Sequence, residues 1–280
     1  MDFFKVKEIN SRLTTLATLT GEILYLLQGD QRSVLVDTSV GVQGLHKLVS
    51  SLTDKPVTVI LTHGHVDHAP GAPEFAEVYL NPVDNELYRE HCQLDVRKGY
   101  LEMGLAPEIA LTIEQQLVPP EPDFKFHDLS DGQIFDLGGL HIECYSLPGH
   151  TAGTMVLLIP ELAVLISGDA ANKSTFLFDT FSASVETYRA NLVRAQKRLA
   201  GRYQHVYITH HVMEVDVNIL QNLIDVCDDI MADQADDIPF DFMGNHAFIA
   251  KKADNEFNRQ DGIEGDIIFS KQRIWNKQLN

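Results

Sequence analysis

Short apolar runs bounded by turn-forming residues predict strands at 4–9, 22–28 and 33–36, the last two joined across Gly29-Asp30. Leu45, Leu48 and Val49 recur at helical spacing and predict a helix over 42–52, ahead of Pro56. The run Val57, Thr58, Val59, Ile60, Leu61 is nearly uninterrupted, so it reads as a strand buried on both faces. A short helix near Glu74 leads to a second buried strand at 78–80.

Residues 83–117 read as helix-rich with weak periodicity, interrupted at Gly99, Gly104 and Pro107 and closed by Pro119-Pro120-Glu121-Pro122. Such an insertion either decorates the surface or walls a site. The β-rich pattern then resumes with a hairpin, 133–137 and 141–147, turning at Gly138-Gly139. Further strands follow at 154–159, 164–167 and 206–209. Ser184 caps a helix running to about 199 with Lys and Arg near its end, and a second helix covers 217–231. Beyond 236 the chain is polar, with strand-like patches only at Phe248 and 267–269. The expected division is a main domain over 1–235, carrying a helical insertion at about 83–118, and a C-terminal extension over 236–280 packed on it.

Composition narrows the function. With 280 residues, 44% hydrophobic and 8% aromatic, the chain can bury a sizeable core. Forty acidic against 22 basic residues give a formal charge of −18, which works against nucleic acid or an anionic membrane as partner. A small-molecule substrate is expected instead, with homo-oligomerisation left open. Cys92, Cys144 and Cys227 are odd in number and form no CxxC pair, which suits a reducing compartment. The start of the chain has no apolar core of a signal peptide, so a soluble cytoplasmic protein is expected.

The candidate chemistry begins where the 57–61 strand ends. His63, His65, Asp67 and His68 fall within six residues at the carboxyl end of a buried strand, where open α/β architectures place ligands. Three imidazoles and a carboxylate so close together cannot satisfy one another as core filling, and a divalent cation would satisfy them. The same rhythm of strand then ligand recurs at His150 in Pro148-Gly149-His150-Thr151, at Asp169 in Ser167-Gly168-Asp169, and at His210-His211 after Ile208-Thr209. Asp37 likewise follows directly on a strand. His46, His91, His127, His141 and His205 stand outside any motif and read as structural or solvated.

In this order the HxHxDH, GHT, GD and late His elements resemble the metallo-β-lactamase-fold hydrolases, most nearly the glyoxalase II-like branch, over roughly residues 20–215. The resemblance implies an α/β (α+β) fold, an αββα sandwich with two β-sheets flanked by helices and a two-metal site at one edge. It implies that His63, His65 and His150 hold one ion, that Asp67, His68 and His210 hold the other, and that Asp169 bridges them. Asp37 would stand behind these ligands and orient them by hydrogen bonds. The family's late motif aligns His210 as the ligand, with His211 in a glycine's place and facing the pocket or solvent.

Imidazole and carboxylate donors suit zinc and also accept iron or manganese. Two such ions would activate a bridging water for hydrolysis of a small ester, thioester, lactone or phosphoester, with Asp67 orienting the water and moving its proton. Lys173, Phe176, Phe178, His211 and His246 are weaker candidates for the substrate wall. Two competing readings keep the ligands but change the outcome: a mononuclear iron oxidoreductase of the persulfide dioxygenase type, and a metal-stabilised binding protein without turnover. Departures from the family also inform the branch. Asp169 stands where one group of β-lactamases has cysteine, and Ala170 to Lys173 lack the tyrosine of the acyl-homoserine lactonases.

Overall fold

The computed structural model describes residues 2–242 and 244–276. The chain forms two compact units, Met1–Cys144 with Thr209–Met213, and Tyr145–Ile208 with Glu214–Asn280.

A seven-stranded sheet organises the first unit. Strands β1 (Phe4–Asn10), β2 (Leu13–Thr18), β3 (Ile23–Gln28) and β4 (Ser33–Val36) form an antiparallel meander, to which β5 (Val57–Ile60), β6 (Val78–Leu80) and β7 (His127–Asp128) add in parallel. Helix α1 (Leu45–Leu52) makes the crossover that a parallel β4–β5 pair requires. It buries Leu45 and Val49 against Leu35, Val59 and Leu61, each worth roughly 1.5–3 kcal/mol of apolar burial. Because Val36 pairs with Ile60, the chain leaves both strands side by side, and Asp37 emerges beside Thr62. Helices α2 (Asn85–His91), α3 (Leu94–Gly104) and α4 (Pro107–Glu114) make up the insertion. The hairpin of β8 (Ile134–Asp136) and β9 (His141–Ser146) turns at Gly138 and Gly139, both with positive φ.

The insertion is tied down by Arg97, a fully buried guanidinium held by main-chain oxygens. It donates to those of Val40, Gly41 and Val118, each at 2.8 Å. Burial lowers its pKa to about 10, so it stays charged at neutral pH.

The second unit runs β10 (Met155–Ile159), β11 (Val164–Ile166), β12 (Thr175–Leu177), α5 (Val185–Leu199), β13 (His205–Tyr207), β14 (Glu214–Val215), α6 (Ile219–Met231), β15 (Ile238–Phe242), β16 (Asn245–Ile249) and β17 (Ile267–Phe269). Strands β10, β11, β13 and β14 pair in that order, with β11 and β13 parallel. A separate sheet has the order β12-β17-β16-β15. Helices α5 and α6 bury Leu192, Leu199, Leu223 and Cys227 in one core with Leu177, Ile267 and Phe269. Ser184 caps α5 by accepting from the Thr187 N–H.

Among the elements the sequence does not announce, three have a clear physical reason. Strand β2 is unannounced because its buried positions include Thr14 and Thr15, which break the apolar pattern. Strand β12 is three residues long and pairs with β17, some ninety positions later in the chain. Strand β15 carries Pro239, which demotes a strand reading, and it lies at the sheet edge where proline is tolerated. Cys92, Cys144 and Cys227 are free and buried. Among the described residues, no helix is long and apolar enough to cross a membrane.

Candidate metal centre

In the first unit the ligand loop hangs from β5, and buried hydrogen bonds orient its imidazoles. Asp37, buried and with φ 62, turns its carboxylate back toward β5. Aspartate is among the few residues that enter this left-handed region readily. Its Oδ1 accepts the Thr62 N–H at 2.7 Å and its Oδ2 accepts the Thr62 hydroxyl at 2.8 Å. With its proton committed to Asp37, the Thr62 oxygen accepts from His63 Nδ1 at 3.0 Å, which leaves His63 Nε2 with a lone pair. His68 Nδ1 donates to Asp37 Oδ2 at 2.8 Å, leaving His68 Nε2 in the same condition. One carboxylate thereby sets the tautomer of two imidazoles.

The Nε2 atoms point toward neighbouring ligand groups. His68 Nε2 lies 3.3 Å from His210 Nε2, and Asp67 Oδ2 lies 3.4 Å from His210 Nε2 and 3.6 Å from His68 Nε2. Ligands about 2.0–2.1 Å from a tetrahedral ion stand roughly 3.3 Å apart, so this triangle has the size of one face of a zinc coordination shell. His63 Nε2 and His65 Nδ1 form a second close pair at 3.0 Å. Both the donor chemistry and the spacing fit divalent metal. His210 reaches its place because Glu22 forms a β-bridge with it and the Ile23 N–H donates to the Thr209 oxygen. His211, with φ 58, instead lays its ring over Gly21, where a Cβ would come within 2.5 Å of His211 Cε1.

Four supporting residues in this unit carry no signal in the sequence motifs. Tyr100 of α3 donates its hydroxyl between Glu22 Oε1 and Asp67 Oδ2, the latter at 3.2 Å. Burial, with the charges of Asp67 and Glu22, pushes the phenol pKa well up and keeps it neutral. Glu22 is itself buried, its Oε2 accepting the Thr18 and Thr20 hydroxyls. His91 of α2 accepts the Val66 N–H at 3.1 Å and stacks on His65, with centroids 5.1 Å apart. Asp84 accepts the Gly64 N–H at 3.0 Å. Of the two expectations for the insertion, these contacts favour a wall: α2 and α3 touch the ligand loop directly.

In the second unit, His150 and Asp169 stand together, His150 Nε2 lying 3.6 Å from Asp169 Oδ2. His150 Nδ1 donates to the Phe176 main-chain oxygen at 3.0 Å, so its Nε2 also keeps a lone pair. The loop bearing His150 is seated by Gly149, whose missing Cβ would lie 2.1 Å from Tyr188 Cδ2. Asn172 Nδ2 approaches Asp169 Oδ1 at 3.4 Å. Phe176 and Phe178 are half-buried and pack at 5.1 Å. Lys173 pairs with Asn258, and His246, 87% exposed, pairs with Asp241 on the β15–β16 hairpin.

The family model described as Metallo-beta-lactamase superfamily matches residues 24–210, and the chain belongs to that superfamily. Two of the relatives it matches are thioesterases by name. The chain is 26% identical over 204 residues to the atrochrysone carboxyl ACP thioesterase of Claviceps purpurea, covering 71% of this chain and 54% of that protein. It is 24% identical over 157 residues to the acyl-coenzyme A thioesterase MBLAC2 of Gallus gallus, covering 52% and 56%. The chain thus spans about half the length of these relatives. Among solved structures, the metallo-beta-lactamase from Pontibacter korlensis superposes with a TM-score of 0.58 at 18% identity, covering 79% of this chain and 97% of that one. A metallo-beta-lactamase family protein from Thermus thermophilus does so at 0.52 and 22%, covering 83% of each. These likenesses show the mixed α/β metallo-β-lactamase fold.

Proposed function

We propose that the protein is a binuclear metallohydrolase of the glyoxalase II-like kind, holding zinc and cleaving thioesters in the cytoplasm. The observation that carries this reading is the triangle of Asp67 Oδ2, His68 Nε2 and His210 Nε2, with edges of 3.3–3.6 Å. A complete second ligand set favours two ions over the single iron of a dioxygenase. The order of motifs along the chain supports His63, His65, His150 and Asp169 as the further residues that would hold the ions. Cysteines that are free and buried suit a reducing compartment.

When bound, such ions supply Lewis acidity at a carbonyl oxygen and activate water near neutral pH. The protein's own groups do the rest. Asp37 and Thr62 hold His68 and His63 in the orientation that presents Nε2. Asp67 orients the attacking water and takes its proton, its Oδ2 steadied by the Tyr100 hydroxyl. A thioester suits this arrangement because its leaving thiol has a pKa of about 8.5, so the sulfur departs as thiolate with little help from an acid. The thioesterase names of two relatives point the same way.

The test is metal content per chain together with acyl-coenzyme A hydrolysis, before and after chelation, for the wild type and His68→Ala. Close to two zinc per chain, turnover lost on chelation and restored by zinc, and at least a hundredfold lower turnover in the variant are expected. Turnover that survives chelation, or a variant within a few-fold of wild type, overturns the reading.

A further inference from the structure

The four-stranded sheet of the second unit has two unlike faces. One carries Leu177, Ile267, Phe269 and Ala250 into the core shared with α5 and α6. On the other, strand register sets Phe176 beside Ile268, Ile268 beside Ile249, and Ile249 beside Ile238. Two residues along the strands, Phe240 pairs with Ala247, and Phe242 with Asn245. Although β12 and β15 are opposite edges, their rings meet: Phe176 lies 5.3 Å from Phe242 and 6.0 Å from Phe240. Phe178 and Phe257 join them, the latter 6.1 Å from Phe240.

All five rings are half-buried, packed on one another with part of each still facing water. Clustered phenyl surface left in water is costly, and contiguous apolar patches of this kind mark ligand-binding surfaces. The patch is also continuous with the chemistry, because the Phe176 carbonyl is the group that fixes His150 Nδ1. A wall that begins at the residue supporting a metal ligand is placed to take the part of a substrate lying beyond the reacting carbonyl. Phenyl rings offer it no hydrogen bonds, so that part must be apolar.

We propose that this face binds the acyl chain of the thioester, and that the protein prefers medium-length or longer apolar acyl groups over acetyl or butyryl. This rests on the hydrolase reading above, and the experiment separates the two. On zinc-loaded protein, kcat/KM is measured for acetyl-, butyryl-, octanoyl- and decanoyl-coenzyme A, alongside calorimetric binding of butyrate and decanoate. Each buried methylene is worth up to about fourfold, so decanoyl should exceed butyryl by at least about tenfold, and decanoate should bind at least about tenfold more tightly than butyrate. In the Phe240→Ser/Phe242→Ser double variant both ratios should fall at least about fivefold. Phe242→Leu, which trims the ring but keeps the hairpin apolar, should lower them about twofold and serves if the serine variant does not fold. Thioesters cleaved with no dependence on chain length would overturn the wall and leave the hydrolase. Preferential decanoate binding, lost in the variants, with no thioester cleaved would keep the wall and overturn the hydrolase. Neither turnover nor chain preference would overturn both.

Discussion

Asp37 in the first unit accepts an N–H, a hydroxyl and an imidazole proton, so its ligand loop is held by side chains gathered from β4, β5, α2 and α3. His150 in the second unit leans on a main-chain carbonyl, and its loop is seated by the packing of a glycine against a tyrosine ring. The buried Asp266 follows the same habit, accepting the main-chain N–H groups of Ile267 and Lys251. A metal ligand oriented by side chains is exposed to point substitution. One oriented by backbone is exposed to changes in packing instead.

The largest effect that would break this contrast is at Asp37. Asp37→Ala strands the Thr62 N–H, the Thr62 hydroxyl and His68 Nδ1, so stability should fall by about 3–5 kcal/mol in urea unfolding. Zinc affinity should drop about 10–100-fold by competition with a chelator. Losses no larger than those at Asn172 would dissolve the comparison.

Asp266 gives a pH signature next. Burial pushes its carboxyl up to about 7, against the pull of the Ile267 and Lys251 N–H groups. The folded state therefore keeps this proton up to about pH 7, whereas the unfolded chain releases it at about pH 4. Its contribution is fully present below about pH 4 and drains away as pH rises to about 7. Wild type should lose a few kcal/mol more than Asp266→Asn between about pH 5 and about pH 8, read from urea midpoints. Parallel curves for the two proteins would show that the main-chain donors hold the carboxylate ionised.

Gly149→Ala tests packing directly. The new methyl would meet Tyr188, which is fully buried and donates to the Ala170 oxygen at 2.6 Å. Thermal unfolding should report a loss of about 1–3 kcal/mol. A neutral result would mean that the His150 loop is not seated by this contact. The smallest effect is expected from Asn172→Ala, which removes a 3.4 Å approach to Asp169 and an acceptor for the Ser174 N–H. A change within about 1 kcal/mol fits the contrast.

The contrast also explains what could be read from the sequence. His63, His65, Asp67 and His68 lie within six positions after an apolar strand, so their grouping is a local fact of the chain. Strands β4 and β5 and helices α5 and α6 were legible for a similar reason, each carrying its own period or apolar run. Tyr100 was not, because a hydroxyl on a weakly periodic helix reaches Asp67 from 33 positions away. Glu22 and His91 are partners of the same kind, defined by where other elements bring them. The phenyl face depends on β12 pairing with β17 and on a proline-bearing edge strand, neither of which leaves a period in the sequence.

The three cysteines give the molecule a built-in set of reporters. Cys92 belongs to the core under α1, Cys227 to the core beneath α5, and Cys144 sits on β9, each shielded and each with its thiol pKa raised by burial. An alkylating reagent can reach them only when the surrounding region opens, and metal should slow whichever opening exposes the ligand loops. Timed alkylation read by mass spectrometry would therefore rank the breathing of the separate cores in the native protein, with no label introduced by mutation.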